Sequence, residues 1–226
     1  MDQYEYALAA AYVRGAAQNH GEILPDALVR KDLADLTQDD LQTILSRGQA
    51  AGLRMYHFKK KDLLPRVNMV LGILKGIQPE SLLDVGSGRG VFLFPFLQHF
   101  SWVPVTSLDV LAHRVEMLQC IHAGGVTQLN ALQQDICTWD MPDDSFDVVT
   151  MLEVLEHIKD VQAAVNAAVR LAKRYVILSV PSKPDDNPEH IHLLTKDILT
   201  ELFQNTGCHK LHFDGVNGHL LMMATL

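Results

Sequence analysis

The sequence predicts an α/β fold, a doubly wound and mostly parallel sheet of seven strands with a terminal antiparallel hairpin and an N-terminal helical extension. From residue 81 onward, short apolar segments alternate with segments of helical periodicity, which is typical of parallel strands covered by helices on both faces. The last two apolar segments are separated only by Asn217 and Gly218, a pair that favours a two-residue hairpin turn. Residues 1–78 carry helical patterns alone.

The extension contains two well-marked helices. Thr37, with Asp40 three residues later, is a variant of the capping box and predicts the start of a helix that ends before Gly52. The segment KDLLPRVNMVLGILKGIQP has an apolar stripe and predicts a second helix that stops at Gly76 and Pro79. A basic cluster precedes this second helix and is interpreted as solvated surface. It consists of His57, Lys59, Lys60 and Lys61.

Short apolar segments with many β-branched residues are predicted as the strands, at residues 81–85, 105–110, 126–132, 146–152, 175–181, 210–216 and 219–226. Helices are predicted between them, most clearly at residues 161–173 and near 195–207. Pro95 lies where the helix after the first strand should already be running. That helix is therefore expected to kink or to start late.

Composition excludes several classes of protein. A chain of 226 residues with 48% hydrophobic content suits one globular domain with a small appendage. No apolar run approaches the roughly 20 residues that span a bilayer, and the N-terminus lacks a signal pattern. Three widely separated cysteines favour neither a disulfide framework nor a zinc ribbon, so a cytoplasmic location is expected. A net charge of −8 works against binding nucleic acid by charge alone.

The stretch LLDVGSGRGVFLF places Asp84 at the tip of the first strand and three glycines at positions 86, 88 and 90. In a doubly wound sheet, ligands bind at the carboxyl ends of the strands. Glycines at such a strand end let a ligand approach the backbone, and the following helix N-terminus favours polar or anionic groups. The alternative is a tight strand-to-helix turn without a ligand.

Acidic residues also end the next two strands. Asp109 lies 21 residues past Gly88, the place from which a carboxylate accepts hydrogen bonds from the ribose hydroxyls of an adenine nucleoside. Asp135 follows the third strand and is placed to reach an adenine amino group. Either acid alone would suit a helix cap. Together with the glycines, acids at three successive strand ends favour a bound adenine nucleoside.

These motifs resemble those of the class I S-adenosylmethionine-dependent methyltransferases, of the type 11 kind. LLDVGSGRG resembles the first motif of that family, SLDV the ribose-binding acid, QQDI the adenine contact, and DDSFDVVTMLEVLEHIKD the fourth strand with its loop. The terminal hairpin matches as well and distinguishes the family from dinucleotide dehydrogenases. The resemblance covers residues 80–226. Ser87 departs from it, because alanine or cysteine is common there, but the backbone is expected to do the work at that position.

The resemblance implies a Rossmann-like domain at residues 79–226 that binds S-adenosylmethionine and releases S-adenosylhomocysteine. Asp84 would orient the methionine amino end, Asp109 would hold the ribose, and Glu153 would lie near the sulfonium. The cofactor-binding residues that it implies are Asp84, Gly86, Ser87, Gly88, Gly90, Asp109, Val110, Asp135, Ile136 and Glu153. Residues 1–78 have no strand from which to build a core, and they are predicted to be a helical cover on the substrate side. His57 or Lys59 could then lie near the acceptor.

Methyl transfer needs mainly alignment, and a base is required only where the acceptor must lose a proton. His157, His190 and His192 are the candidate catalytic residues. On a helical turn Glu153, Glu156 and His157 would share one face. With His190 or His192 they resemble the metal-binding set of methyltransferases that modify the 2′-hydroxyl at small-RNA 3′ ends.

We nevertheless predict no metal. EVLEH recurs across methyltransferases that bind none, and the segment KPDDNPEH is rich in turn-forming residues, which favours a mobile lid over permanent ligands.

The predicted function is methyl transfer from S-adenosylmethionine to a small-molecule or natural-product acceptor. The acceptor atom, whether oxygen, nitrogen or carbon, is left open. Two alternatives remain, a metal-assisted RNA 2′-O-methyltransferase and a non-catalytic protein that binds S-adenosylmethionine. Neither a nucleic acid nor a membrane is expected as a partner, and the oligomeric state is open.

Overall fold

The structure is a computed structural model, and it describes residues 3–20, 23–55, 58 and 63–226. The chain forms two compact units. The first, here called the helical unit, combines residues 1–62 with residues 111–131. The second, called the sheet unit, combines residues 63–110 with residues 132–226.

The helices follow one another as α1 (Gln3–His20), α2 (Asp26–Arg30), α3 (Gln38–Ala50), α4 (Pro65–Ile77), α5 (Leu93–His99), α6 (Ala112–Ala123), α7 (Val161–Leu171) and α8 (Lys196–Phe203). The strands are β1 (Leu82–Val85), β2 (Val105–Asp109), β3 (Leu129–Gln133), β4 (Phe146–Leu152), β5 (Ala172–Pro181), β6 (Lys210–Val216) and β7 (His219–Thr225). Short 3-10 turns occur at Leu33–Asp35 and Leu155–His157.

The helical unit is built on α1, which packs against α3 and α6. The capping box predicted at the start of α3 is present: Thr37 Oγ1 accepts from the Asp40 amide at 3.2 Å, and the Thr37 amide donates to Asp40 Oδ2 at 2.8 Å. These reciprocal bonds satisfy amides that the first turn of a helix leaves without partners. Helix α6 belongs to this unit although it follows β2 in the chain.

The sheet has the strand order β3-β2-β1-β4-β5-β7-β6. β1 pairs in parallel with β2 and β4, β4 pairs in parallel with β5, and β7 is antiparallel to both β5 and β6. This confirms the predicted fold class. β4 begins and ends where the sequence predicts, because nearly all its residues are buried and most of them are apolar.

The structure differs from the predicted boundaries in places. α5 begins only at Leu93, so Pro95 lies in its first turn, where its missing amide is tolerated; the late start is the observed outcome. α4 continues through Gly76 and ends at Gln78, whose φ of 49° is left-handed. β5 begins at Ala172, three residues before the predicted start. Among the described residues, no helix combines the length and the apolar character that crossing a bilayer requires.

Candidate cofactor and acceptor site

Parallel pairing brings several strand ends to one edge of the sheet unit, here called the carboxyl edge. Val85 at the end of β1 is in register with Leu108 of β2 and with Met151 of β4. The glycine loop and the residues that follow β2 and β4 therefore meet at this edge. β7 runs the other way, so its first residue, His219, lies opposite Pro181 at the end of β5.

The glycine loop has a left-handed backbone at residues 86, 88 and 90, with φ values of 68°, 56° and 76°. A Cβ at Gly86 would lie 2.6 Å from Val154 Cγ2, and one at Gly90 would lie 2.5 Å from the Phe94 ring. Glycine is thus required at both positions by neighbouring side chains as well as by the backbone. These contacts fit the alternative interpretation of a tight turn, and the approach of a ligand to the loop stays a prediction.

Asp84 is buried and takes part in a chain of hydroxyl groups. Thr150 Oγ1 donates to its Oδ1 at 2.8 Å, and Ser87 Oγ donates to its Oδ2 at 2.6 Å. Ser107 Oγ in turn donates to Ser87 Oγ at 2.7 Å. Burial raises the pKa of Asp84 to about 6, although these hydrogen bonds act in the opposite direction. Asp84 therefore ties the loop to β1, β2 and β4, and its role toward a methionine amino group stays a prediction.

The side chain of Ser87 contributes directly to this arrangement, whereas the sequence analysis expected its backbone alone to matter. Thr150 and Ser107 were missed, since nothing in the local sequence pairs them with Asp84.

Asp109 faces the glycine loop, and its Oδ2 accepts a hydrogen bond from the Gly88 amide at 3.2 Å. The neighbouring Val110 is 58% exposed, which is unusual for a large apolar side chain. An acid beside an exposed apolar surface suits the ribose and the flat base of an adenine nucleoside.

Asp135 Oδ1 accepts from the Cys137 amide at 2.9 Å and stabilises a turn, not the start of a helix. Its side chain remains exposed, so contact with an adenine amino group stays a prediction. Ile136 is buried in the core of the sheet unit. Any contact between Ile136 and the base would therefore come from its backbone.

Glu153 follows β4 in a left-handed conformation with a φ of 58°. Its amide donates to the Ser179 carbonyl at 2.9 Å, and Ser179 Oγ donates to its Oε1 at 2.7 Å. His219 Nδ1 lies 2.8 Å from its Oε2, and Arg66 Nε lies 3.9 Å from its Oε1. Neither Arg66 nor His219 was among the site residues predicted from the sequence. His219 directly follows the predicted hairpin turn, and this position could have indicated that it lies at the same edge as the end of β5.

The expectation that Glu153, Glu156 and His157 share one helical face is wrong. The segment after β4 is a short 3-10 turn at Leu155–His157, and Glu153 lies outside it with a left-handed backbone. The carboxylate of Glu153 is held by Ser179, and it belongs to a different group of side chains from Glu156.

Glu156, His157 and His190 do come together. Glu156 is fully buried, and neither carboxylate oxygen has a hydrogen-bond partner among the residues that the structure describes. Its pKa is raised to about 8, mainly by burial and in smaller part by the nearby charges of Glu153 and Asp185. One potential ligand atom from each of the three residues lies within 4.8 Å of the others.

The two imidazoles of this group are oriented by their Nδ1 atoms. His157 Nδ1 lies 2.9 Å from the Glu189 carbonyl, and His190 Nδ1 lies 2.8 Å from Asp185 Oδ2. Both partners accept, so each Nδ1 donates, and Nε2 is the ring nitrogen left to bind a ligand. This is the orientation of histidines that bind metal through Nε2 while a carbonyl or carboxylate holds the other nitrogen.

His192 lies apart from that group. Its Nε2 is 3.0 Å from the Ile158 carbonyl, and its ring lines a cavity of about 460 Å³. The other lining residues are Lys159, Asp160, Val161, Leu194, Ile198 and Leu202.

The basic cluster lies outside the described residues, so its predicted place near the acceptor stays a prediction. It consists of His57, Lys59, Lys60 and Lys61.

A family model described as a methyltransferase domain matches residues 55–212. The chain belongs to this family, the class I S-adenosylmethionine-dependent methyltransferases. A ubiquinone biosynthesis O-methyltransferase of Vibrio atlanticus is 32% identical over 111 residues, which cover 48% of this chain and 45% of the relative. One of Pseudomonas fluorescens is 29% identical over 98 residues, covering 43% and 42%. The matched segment is thus less than half the length of each of these curated relatives.

A solved structure of another methyltransferase has the same fold as this chain. Magnesium protoporphyrin IX methyltransferase from Synechocystis, crystallised with bound S-adenosylhomocysteine, superposes with a TM-score of 0.57 at 20% identity, covering 71% of this chain and 81% of that chain. The glycine loop, Asp109 and the exposed Val110 fit the nucleoside of S-adenosylmethionine. When bound, this cofactor supplies a methyl group already activated on a sulfonium.

Proposed function

We propose that this methyltransferase transfers the methyl group to the hydroxyl oxygen of a small-molecule acceptor. The group formed by Glu156, His157 and His190 carries the proposal, because a hydroxyl has to lose its proton and groups that assist this are needed beside it. The O-methyltransferase names of the curated relatives support an oxygen acceptor.

The same group favours a bound divalent transition cation, against the prediction of no metal. A buried carboxylate without a partner is costly unless something compensates its charge, and a cation does so. The Glu156 carboxylate and the Nε2 atoms of His157 and His190 would hold it. A bound cation supplies positive charge beside the acceptor oxygen and lowers the pKa of the hydroxyl.

The loop before His190 also supports fixed ligands. Asp185 Oδ1 accepts from the Asn187 amide at 3.0 Å, and Asn187 Oδ1 accepts from the Glu189 amide at 3.1 Å. These successive Asx turns give the loop internal order. The mobility inferred from its turn-forming residues stays a prediction, and so does the role of a lid.

Methyl transfer to matched acceptors tests the proposal. Purified protein with S-adenosylmethionine labelled in the methyl group is offered phenol- and catechol-type compounds and their amine analogues, and products are identified by mass spectrometry. We expect methyl ethers from the hydroxyl compounds. Methylation of the amines alone would contradict an oxygen acceptor. Cofactor binding with no methylation of any acceptor, including RNA 3′ ends, would favour a non-catalytic binding protein.

Elemental analysis of protein purified without chelator tests the cation. We expect about one equivalent of a divalent transition metal, lost in Glu156→Gln and kept in His192→Gln, which changes a histidine outside the group. Metal-free protein with full O-methyltransferase activity would rule out the cation and leave the oxygen acceptor standing. Methylation of small-RNA 3′ ends in preference to small molecules would instead favour the RNA alternative.

A further inference from the structure

His219 lies between two side chains of opposite hydrogen-bonding character. Its Nδ1 is 2.8 Å from Glu153 Oε2, an ion-pair contact that is not aligned as a hydrogen bond, and its Nε2 is 3.2 Å from Arg66 Nη1. A carboxylate only accepts and a guanidinium only donates. A lone pair on Nδ1 would face the lone pairs of the Glu153 carboxylate. A proton on Nε2 would face the N–H of the Arg66 guanidinium. This geometry places a proton on Nδ1 and the lone pair on Nε2.

Glu153 is fixed in place by its surroundings. A left-handed backbone at a residue other than glycine is strained and is kept where neighbouring contacts impose it, often at functional sites. Here the backbone and the hydroxyl of Ser179 both hold Glu153. The strained residue is thus the one that sets the orientation of the His219 ring.

This group lies close to the one formed by Glu156, His157 and His190. Glu153, which contacts His219, and Glu156 both follow the carboxyl end of β4, and His219 lies opposite Pro181 at the end of the neighbouring strand β5. The side chain of His219 is 23% exposed, and that of Arg66 is 21% exposed. An acceptor bound at this edge of the sheet would therefore lie close to His219.

We propose that His219 Nε2 takes the proton of the acceptor hydroxyl, that Glu153 positions the ring, and that Arg66 occupies Nε2 until the acceptor replaces it. The inference rests on the proposed O-methyltransferase function. The acceptor O–H is a donor, as is the Arg66 N–H, so it can take the same place on the lone pair.

In the proposed reaction, proton transfer accompanies methyl transfer. The acceptor O–H bond breaks and its proton moves to Nε2. The oxygen electron pair forms the bond to the methyl carbon while the carbon–sulfur bond breaks, and that electron pair stays on the sulfur of S-adenosylhomocysteine. The imidazolium then returns its proton to water.

Kinetics of His219→Ala test the proton transfer. We expect kcat to fall at least about 100-fold, with little change in the KM for S-adenosylmethionine. Added imidazole should restore part of kcat in His219→Ala and none in Glu156→Ala. His212→Ala removes an exposed histidine from the same hairpin and should leave kcat unchanged. Wild-type kcat in His219→Ala, or a loss that imidazole does not reduce, would overturn the proposal.

Nitrogen-15 NMR of the histidine rings tests the geometry without turnover. We expect His219 to be the Nδ1–H tautomer at pH 8, and to become a mixture of tautomers in a variant that carries both Glu153→Gln and Arg66→Ala, because neither side chain then fixes the position of the proton. The Nε2–H tautomer in the wild-type protein would overturn the proposal. A wild-type enzyme that methylates only amines defeats the proposed function, whereas hydroxyl methylation that persists at full rate in His219→Ala defeats only the role of His219.

Discussion

The helical unit and the sheet unit of this methyltransferase use glycine for different purposes. In the helical unit, a Cβ at Gly15 would lie 1.9 Å from the Cys120 carbonyl oxygen, and one at Gly124 would lie 1.8 Å from that of Ala11. The backbones of the two segments touch, so the missing side chain is what matters. In the glycine loop of the sheet unit, the left-handed backbone matters as well. A glycine in a sequence pattern therefore has no fixed meaning until its neighbours are known.

Two of the buried carboxyl groups of the sheet unit have contrasting surroundings. Asp84 has two hydroxyl donors and belongs to the framework of the loop, whereas the Glu156 carboxylate has no hydrogen-bond partner among the described residues. Burial raises the pKa of both groups. The fold itself supplies the hydrogen-bond partners of Asp84, whereas a bound ligand would supply those of Glu156.

The largest expected effect is on the contact between α1 and α6. Gly15→Ala should lower the free energy of unfolding by about 3 kcal/mol or more, because backbone atoms cannot move aside as side chains can. Gly72→Ala is the matched control: Gly72 lies inside α4 with nothing within 4 Å of the added Cβ, so about 0.5–1 kcal/mol should be gained. Urea unfolding measures both changes.

Amide hydrogen exchange sharpens the same test. If the two units unfold separately, Gly15→Ala should speed exchange in α1 and α6 while the amides of β4 remain protected. Equal loss of protection in both units would show that they unfold together.

The next effect concerns Asp84 and pH. Its pKa is about 6 in the folded protein against 3.8 for the free group, so between these values the folded state binds more protons than the unfolded one. The contribution of Asp84 therefore stabilises the fold as pH falls from 7 to 4, by up to about 3 kcal/mol. The free energy of unfolding is measured against pH for the wild type and for Asp84→Asn. The difference between the two curves should increase as the pH falls from 7 to 4. Parallel curves would mean that Asp84 is not buried as described.

Asp109→Ala tests the part of the sheet unit that fits the nucleoside. A carboxylate that accepts from ribose hydroxyls makes charge-assisted bonds, so its loss should weaken binding of S-adenosylhomocysteine by about 1.5–3 kcal/mol. Calorimetric titration of the folded variant measures the affinity. Unchanged affinity together with lower stability would restrict Asp109 to its hydrogen bond with the Gly88 amide.

The smallest effect is local to the helical unit. Thr37→Ala removes half of the capping box of α3 and should lower the free energy of unfolding by about 1 kcal/mol. Thr43→Ala changes a threonine within the same helix and serves as the control, with little change expected. S-adenosylhomocysteine affinity should be unaffected by either variant, and a loss in Thr37→Ala would link the cap to the cofactor.

The sequence by itself determined the order of helices and strands, the hairpin turn and the acids at the strand ends. β4 and β6 have their predicted bounds, and Asn217 and Gly218 form the turn with positive φ values of 43° and 86°. These features follow from periodicity, turn chemistry and strand direction, which act over a few residues and can be read locally.

The tertiary structure alone decided which distant side chains meet. Arg66 and His219 are 153 residues apart, yet they share one hydrogen bond, and α6 packs with α1 although the chain places it between two strands. Glu153 left the helical face that its spacing predicted, because contacts with β5 impose a left-handed backbone on it. Such contacts depend on how elements pack across the fold, and no local pattern of residues encodes them.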